Sequence, residues 1–122
     1  MNTNTPLLHS ALLRASHEAR KSAETFRLGA VVLKGREVVA TGRNRNMNSC
    51  GLHSIHAEMD ALWKTPAVGN LHLVVVRVLR DGQTTACSRP CPACQRALER
   101  RGVTKVTFTT GNLGQPLQTL VL

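Results

Sequence analysis

Two short clusters hold side chains suited to metal and proton chemistry: His56-Ala57-Glu58, and Pro90-Cys91-Pro92-Ala93-Cys94. Imidazole nitrogen and thiolate sulfur together suit zinc. Cys91 and Cys94 are three apart, so both can point the same way at the start of a helix. Pro92 falls at the first helical position, where its missing N–H costs nothing, and the partial positive charge of a helix N-terminus favours thiolate over thiol. His56 and Glu58 are two apart and do not face each other within a regular helix. They reach one site if His56 stands at the helix entry and Glu58 in its first turn. The expected site is therefore one zinc ion per chain, held by His56, Cys91 and Cys94, with a water or hydroxide as fourth ligand. A catalytic zinc keeps such a position, whereas a structural zinc fills it with protein. Glu58 is then a spare carboxylate, able to take a proton from that water and deliver it to a substrate. A closed, structural zinc site completed by Cys87 or His53 is the alternative, and it leaves Glu58 without a role.

These clusters need elements to place them. Leu8, Leu12, Ala15, Ala19 and Ala23 recur at helical spacing after Thr5-Pro6, which predicts a helix over 6–25. Apolar runs at 28–33 and 37–41, joined by Lys34-Gly35-Arg36, predict a hairpin. Residues 42–51 are polar and without period, and read as a loop. Residues 56–64 return to helical character, with Ile55, Met59, Leu62 and Trp63 on one face and Trp63 expected in the core. The continuously apolar segment 71–79 predicts a strand buried on both faces. Residues 80–89 read as a loop, 92–101 as a helix stopped by Gly102, 103–110 as a strand and 115–121 as a last strand. Helices interleaved with strands imply an α/β protein: a three-layer α-β-α sandwich around a mixed sheet of about five strands. With 122 residues and no repeat or linker, the chain is expected to form one domain over 1–122.

The combination H-A-E followed by P-C-x-x-C, in this order of elements, resembles the cytidine deaminase superfamily, and within it the short phage- and bacterial-type cytidine and deoxycytidylate deaminases. The resemblance runs from the first helix to the strand near Phe108. It implies zinc-ligand roles for His56, Cys91 and Cys94 and a proton-shuttle role for Glu58. Gly42-Arg43-Asn44 is similar to the family's G-x-N after the second strand, which implies that Asn44 contacts the sugar or base. The backbone N–H of Ala57 would meet the pyrimidine carbonyl. The implied reaction is hydrolytic deamination: attack of hydroxide at C4 of cytosine, protonation of the ring nitrogen by Glu58 and loss of ammonia. Asn44-Arg45-Asn46 departs from the tetrameric free-cytidine deaminases, which carry an acidic residue there.

Sixteen Lys and Arg against seven Asp and Glu give a formal charge of +9. The excess is spread along the chain: eight basic and three acidic residues precede Cys50, and eight and four follow it. A basic surface suits an anionic partner, either a phosphate-bearing substrate or single-stranded nucleic acid. Arg43, Arg45 and Arg89 are the candidates to hold phosphate near the pocket mouth. Aromatics are scarce (two Phe, one Trp, no Tyr), which weighs against a base-stacking nucleic-acid channel. Three functions remain: a deaminase of a cytosine nucleoside or nucleotide, an editing deaminase on single-stranded DNA or RNA, and a non-catalytic zinc-stabilised binding module. His53 reads as a loop residue supporting the site, and Cys50 and Cys87 as ordinary thiols, in keeping with a reducing cytoplasm. No apolar run approaches membrane-spanning length and Met1 to Leu13 does not read as a signal peptide. A homodimer or homotetramer is expected, as in the family.

Overall fold

In the computed structural model the described residues are 5–23, 26–46, 54–66 and 69–122. The expected order of elements is present: α1 (Thr5–Lys21), β1 (Arg27–Lys34), β2 (Glu37–Arg43), α2 (Ala57–Trp63), β5 (Leu71–Val78), α3 (Pro92–Arg100), β7 (Val103–Thr109) and β8 (Leu117–Val121). Two short additions break segments read as loops. Arg45–Asn46 (β3) pairs with Ser54–Ile55 (β4), and Thr85–Ala86 (β6) folds back antiparallel on Arg77 and Val78 of β5. The sequence did not announce β6 because Asp81 organises its turn locally, accepting N–H bonds from Gln83 and Thr84 at 2.9 Å.

The main sheet runs β2-β1-β5-β7-β8, with β6 also on β5. It is mixed: β1 pairs antiparallel with both β2 and β5, whereas β5 and β7 run parallel through the α3 crossover. Alternation along the strands sends side chains to two cores. Ala30, Val32, Leu73, Val75, Val106 and Phe108 meet α2 and α3, while Val31, Leu33, Val74, Val76 and Val78 meet α1. Helices therefore cover both faces of the sheet, giving the three-layer α-β-α arrangement. β5 is the central strand and is buried on both faces, as its unbroken apolarity predicts.

Small residues set how closely the layers approach. A Cβ on Gly29 would lie 1.9 Å from the Ala15 carbonyl oxygen, so α1 rests on β1 through Ala11, Ala15 and Ala19. A Cβ on Gly42 would lie 2.5 Å from the Ala61 nitrogen and 2.7 Å from the Ala57 oxygen. The face of α2 that packs is thus the small-residue face of Ala57 and Ala61. Trp63, expected in the core, turns away from the buried Ala57, Ala61 and Leu62 of α2 and is 55% exposed. Among the described residues, no helix is long and apolar enough to cross a membrane.

Candidate active site

Two helix starts meet at the end of β5. His56 is the N-cap of α2 with extended backbone (φ −72°, ψ 149°), and its carbonyl accepts the N–H of Asp60 at 2.9 Å. Cys91 is the N-cap of α3 with Pro92 directly inside, and its carbonyl accepts the N–H of Gln95 at 2.9 Å. This is the helix-entry placement that the spacings required. The loop leading to Cys91 is pinned from below by Ser88. Its N–H donates to the Thr109 carbonyl at 2.8 Å and its hydroxyl to the Val75 carbonyl at 2.9 Å, so β5 and β7 jointly hold the approach to the cysteines.

His56, Glu58, Cys91 and Cys94 line one cavity of about 410 Å3. His56 and Glu58 also border two smaller ones, of about 260 Å3 towards Met59 and Leu98 and about 250 Å3 towards Asn44 and Ala57. A larger hollow of about 490 Å3 lies on the α1 face around His72, with no cysteine and none of these groups. His72 there is held neutral, its pKa pushed down to about 4 by burial and by Lys105.

The Cys94 sulfur stands 4.0 Å from His56 Nδ1. Two ligands of a tetrahedral zinc, sulfur at about 2.3 Å and nitrogen at about 2.0 Å, stand roughly 3.6 Å apart. The pair thus falls close to that spacing, and Cys91 neighbours Cys94. Among the described residues, no three His, Cys, Asp or Glu side chains are closed into an ion-holding cluster as they stand. The donor set, one imidazole and two thiols on two helix starts, is nonetheless the chemistry zinc prefers. The Cys91 thiol is held below its ordinary range by the Cys94 N–H and the Cys94 thiol, with the Ala93 N–H adding to the effect. None of these N–H groups closes to a full capping hydrogen bond. Cys94 is pushed up to about 11, first by burial and then by the Cys91 thiol beside it.

Glu58 is 7% exposed. Burial raises its carboxyl above the ordinary range, against smaller lowering effects from a backbone N–H and from His56. Ala57 is buried beside it, and as the first residue of α2 its N–H has no acceptor within the helix.

The expected substrate contacts separate into those at the cavities and those elsewhere. Asn44 reaches the smallest cavity, but its carboxamide is engaged with β1: Oδ1 accepts the Leu28 N–H at 2.9 Å and Nδ2 donates to the Phe26 carbonyl. It fastens the segment that carries Phe26. Arg89 lines the main cavity. Arg43 and Arg45 do not line the cavities described here. Asp60 accounts for their placement: its carboxylate is 3% exposed, and a buried charge must be paired with cations. Arg45 reaches it at 2.9 Å, Lys64 at 3.1 Å and the Arg43 N–H at 3.1 Å, while the Arg43 guanidinium lies 3.7 Å from Glu18. Cys50 and His53 lie outside the described residues.

The Asp60 clamp ties β2 to α2. Burial alone would raise its pKa, but Arg45, the Arg43 N–H and Lys64 outweigh it and hold the carboxyl below the ordinary range. The resulting stabilisation is complete above the ordinary aspartate pKa near 3.9 and is lost as pH falls through the lower folded value. An Asp60→Asn protein should lose about 2 kcal/mol at pH 7, because its charged hydrogen bonds go while Arg45 and Lys64 can return to water. Denaturant unfolding at pH 7 and pH 3 checks this: the gap between variant and parent should narrow at the lower pH.

Three cavity residues gave no local signal in the sequence. Phe26, at 58% exposure, forms an apolar wall with Leu28. Arg77 joins from β5, its guanidinium 4.5 Å from the Phe26 ring centroid.

The profile of the cytidine and deoxycytidylate deaminase zinc-binding region matches residues 1–110. No curated protein sequence matches significantly. Among solved structures, a cytidine deaminase from Burkholderia pseudomallei superposes with TM-score 0.70 at 20% identity, over 99% of this chain and 93% of that one. The dCMP deaminase from cyanophage S-TIM5, solved in apo form, gives TM-score 0.61 at 21% identity, over 90% and 86%; its complex with dCMP and dUMP gives 0.59. A cytidine deaminase from Mycobacterium tuberculosis gives 0.60 at 23% identity, over 88% and 86%. At these identities the structural likeness is one of fold.

Proposed function

The chain belongs to the cytidine and deoxycytidylate deaminase family, and from that premise we propose that residues 1–122 form a zinc-dependent hydrolytic deaminase. It would convert the cytosine of a nucleoside or nucleotide to uracil with release of ammonia. The observation that carries this reading is the shared cavity: His56, Cys91 and Cys94 provide a three-donor set, and the buried Glu58 lines the same wall. A carboxylate left out of a donor set and shielded from water suits proton transfer. The structure with dCMP and dUMP lends support, because it shows a protein of this fold holding such nucleotides.

His56, Cys91 and Cys94 would hold one zinc per chain. When bound, zinc supplies an acidified water as nucleophile. Glu58 accepts one proton from the attacking water and passes it to the ring nitrogen next to the attacked carbon, then takes the second proton of that water from the added hydroxyl and delivers it to the departing amine. Burial, which raises its pKa, favours its holding a proton between the two transfers. The free Ala57 N–H is offered to the pyrimidine carbonyl. Phe26 and Leu28 give the ring an apolar wall and exclude water from one side. Atoms balance as cytosine plus water giving uracil plus ammonia.

The direct test is a substrate panel of cytidine, deoxycytidine, dCMP, adenosine and single-stranded oligonucleotides, read as ammonia and as a mass gain of about one dalton. Turnover of cytosine monomers is expected. Turnover confined to oligonucleotides would make the protein an editing enzyme, and four protein ligands on the metal with no turnover would make it a binding module.

A further inference from the structure

The main cavity contains two guanidinium groups besides its catalytic candidates. Arg77 and Arg89 reach it from different elements, β5 and the loop before α3. Each is placed by an aromatic ring: Arg77 over Phe26 at 4.5 Å, and Arg89 over Phe108 at 5.6 Å. A contact with a ring face positions a guanidinium without using its N–H donors.

Neither has a carboxylate partner among the described residues. The ion pairs found there belong to Lys21, Arg43, Arg45 and Lys64. The Arg77 Nε is buried and has no acceptor. The Arg27 Nε shares that condition, but Arg77 is the one that lines the cavity holding Glu58. A buried donor without an acceptor is costly, and its usual explanation is a water or ligand oxygen. Two guanidinium groups lining one cavity suit the oxygens of a phosphate better than any neutral group. A volume of about 410 Å3 is also on the scale of a small-molecule site.

We propose that Arg77 and Arg89 form an anion subsite that makes the site selective for a cytosine nucleoside 5′-monophosphate over the free nucleoside. The proposal rests on the deaminase reading for the chemistry at the other end of the ligand. A monoester fits better than a polynucleotide backbone. A strand needs a continuing basic track and several rings to stack its bases, and here Arg43 and Arg45 are committed to Glu18 and Asp60 and the chain holds only two Phe, one Trp and no Tyr.

The test compares kcat/KM for dCMP, deoxycytidine and a short single-stranded oligonucleotide. Calorimetric binding of dUMP against deoxyuridine is measured in parallel. The parent should favour the monophosphate by about 10- to 100-fold, the worth of charged hydrogen bonds. Arg77→Gln should remove most of that preference in both readouts, Arg77→Lys should restore part of it, and Arg89→Gln should weaken it further in the double variant. Arg36→Gln, on the exposed β1–β2 turn, should leave the preference as it is. A parent that does not prefer the monophosphate, or a preference that survives the double variant, overturns the subsite while deamination stands. Preference for the oligonucleotide overturns it in favour of a polymer backbone. If no substrate releases ammonia but dUMP binding still depends on Arg77, the deaminase reading fails and the subsite holds.

Discussion

Glu58→Gln should reduce turnover by about 10²- to 10⁴-fold, the span attributable to a positioned proton carrier, while bound zinc is unchanged. The substitution keeps the shape of the side chain and removes its ability to exchange a proton. Because Glu58 is 7% exposed and burial disfavours its charge, the amide should fold as well as the acid or slightly better. Three measurements separate the roles: steady-state turnover, metal content and thermal midpoint. A large loss of turnover with zinc retained and an unchanged or raised midpoint identifies Glu58 as catalytic. Undiminished turnover in a zinc-loaded Glu58→Gln protein would remove it from the mechanism.

Cys94→Ala should empty the metal site and abolish activity together. Cys94 is the donor at the centre of the set, 4.0 Å from His56 Nδ1 and lining the same cavity as Cys91. Loss of a direct ligand should weaken zinc binding by more than the roughly 10–100-fold that loss of a supporting partner costs. Metal analysis after dialysis should fall from about one zinc per chain to almost none. Cys87→Ala is the discriminating companion. Cys87 lines the same cavity and is exposed, so it is a candidate for a fourth ligand. Zinc retained in Cys87→Ala keeps the fourth position for water; zinc lost there would turn the site into a closed structural one.

The two outcomes bear on each other. A catalytic zinc requires that Glu58 matter to rate and not to metal content, and that Cys91 and Cys94 matter to both. A structural zinc would show the cysteine effects alone.

Legibility in the sequence followed the range of the interactions involved. His56, Cys91 and Cys94 could be paired with their helix starts because a capping position and Pro92 at the first helical residue are decided within one turn. The buried character of β5 could be read because solvent exclusion on both faces demands an unbroken apolar run. These local facts carried the sandwich, the element order and the placing of His56, Glu58, Cys91 and Cys94 at two helix starts. The fates of Arg43 and Arg45 could not be read. They depend on Asp60, 15 residues beyond Arg45, being buried where cations had to follow it. Trp63 was misplaced because the packed face of α2 is the one that meets Gly42, on a different element. Arg77 was hidden in an apolar strand, and its contact with Phe26 exists because β1 and β5 pair Leu28 with Arg77. The sequence by itself determined which helix starts carry side chains suited to metal binding and proton transfer, since residue type and local spacing decide that. Only the tertiary structure decided which charges are spent on one another and which remain for a ligand, since burial and ion pairing are settled between residues distant in the chain.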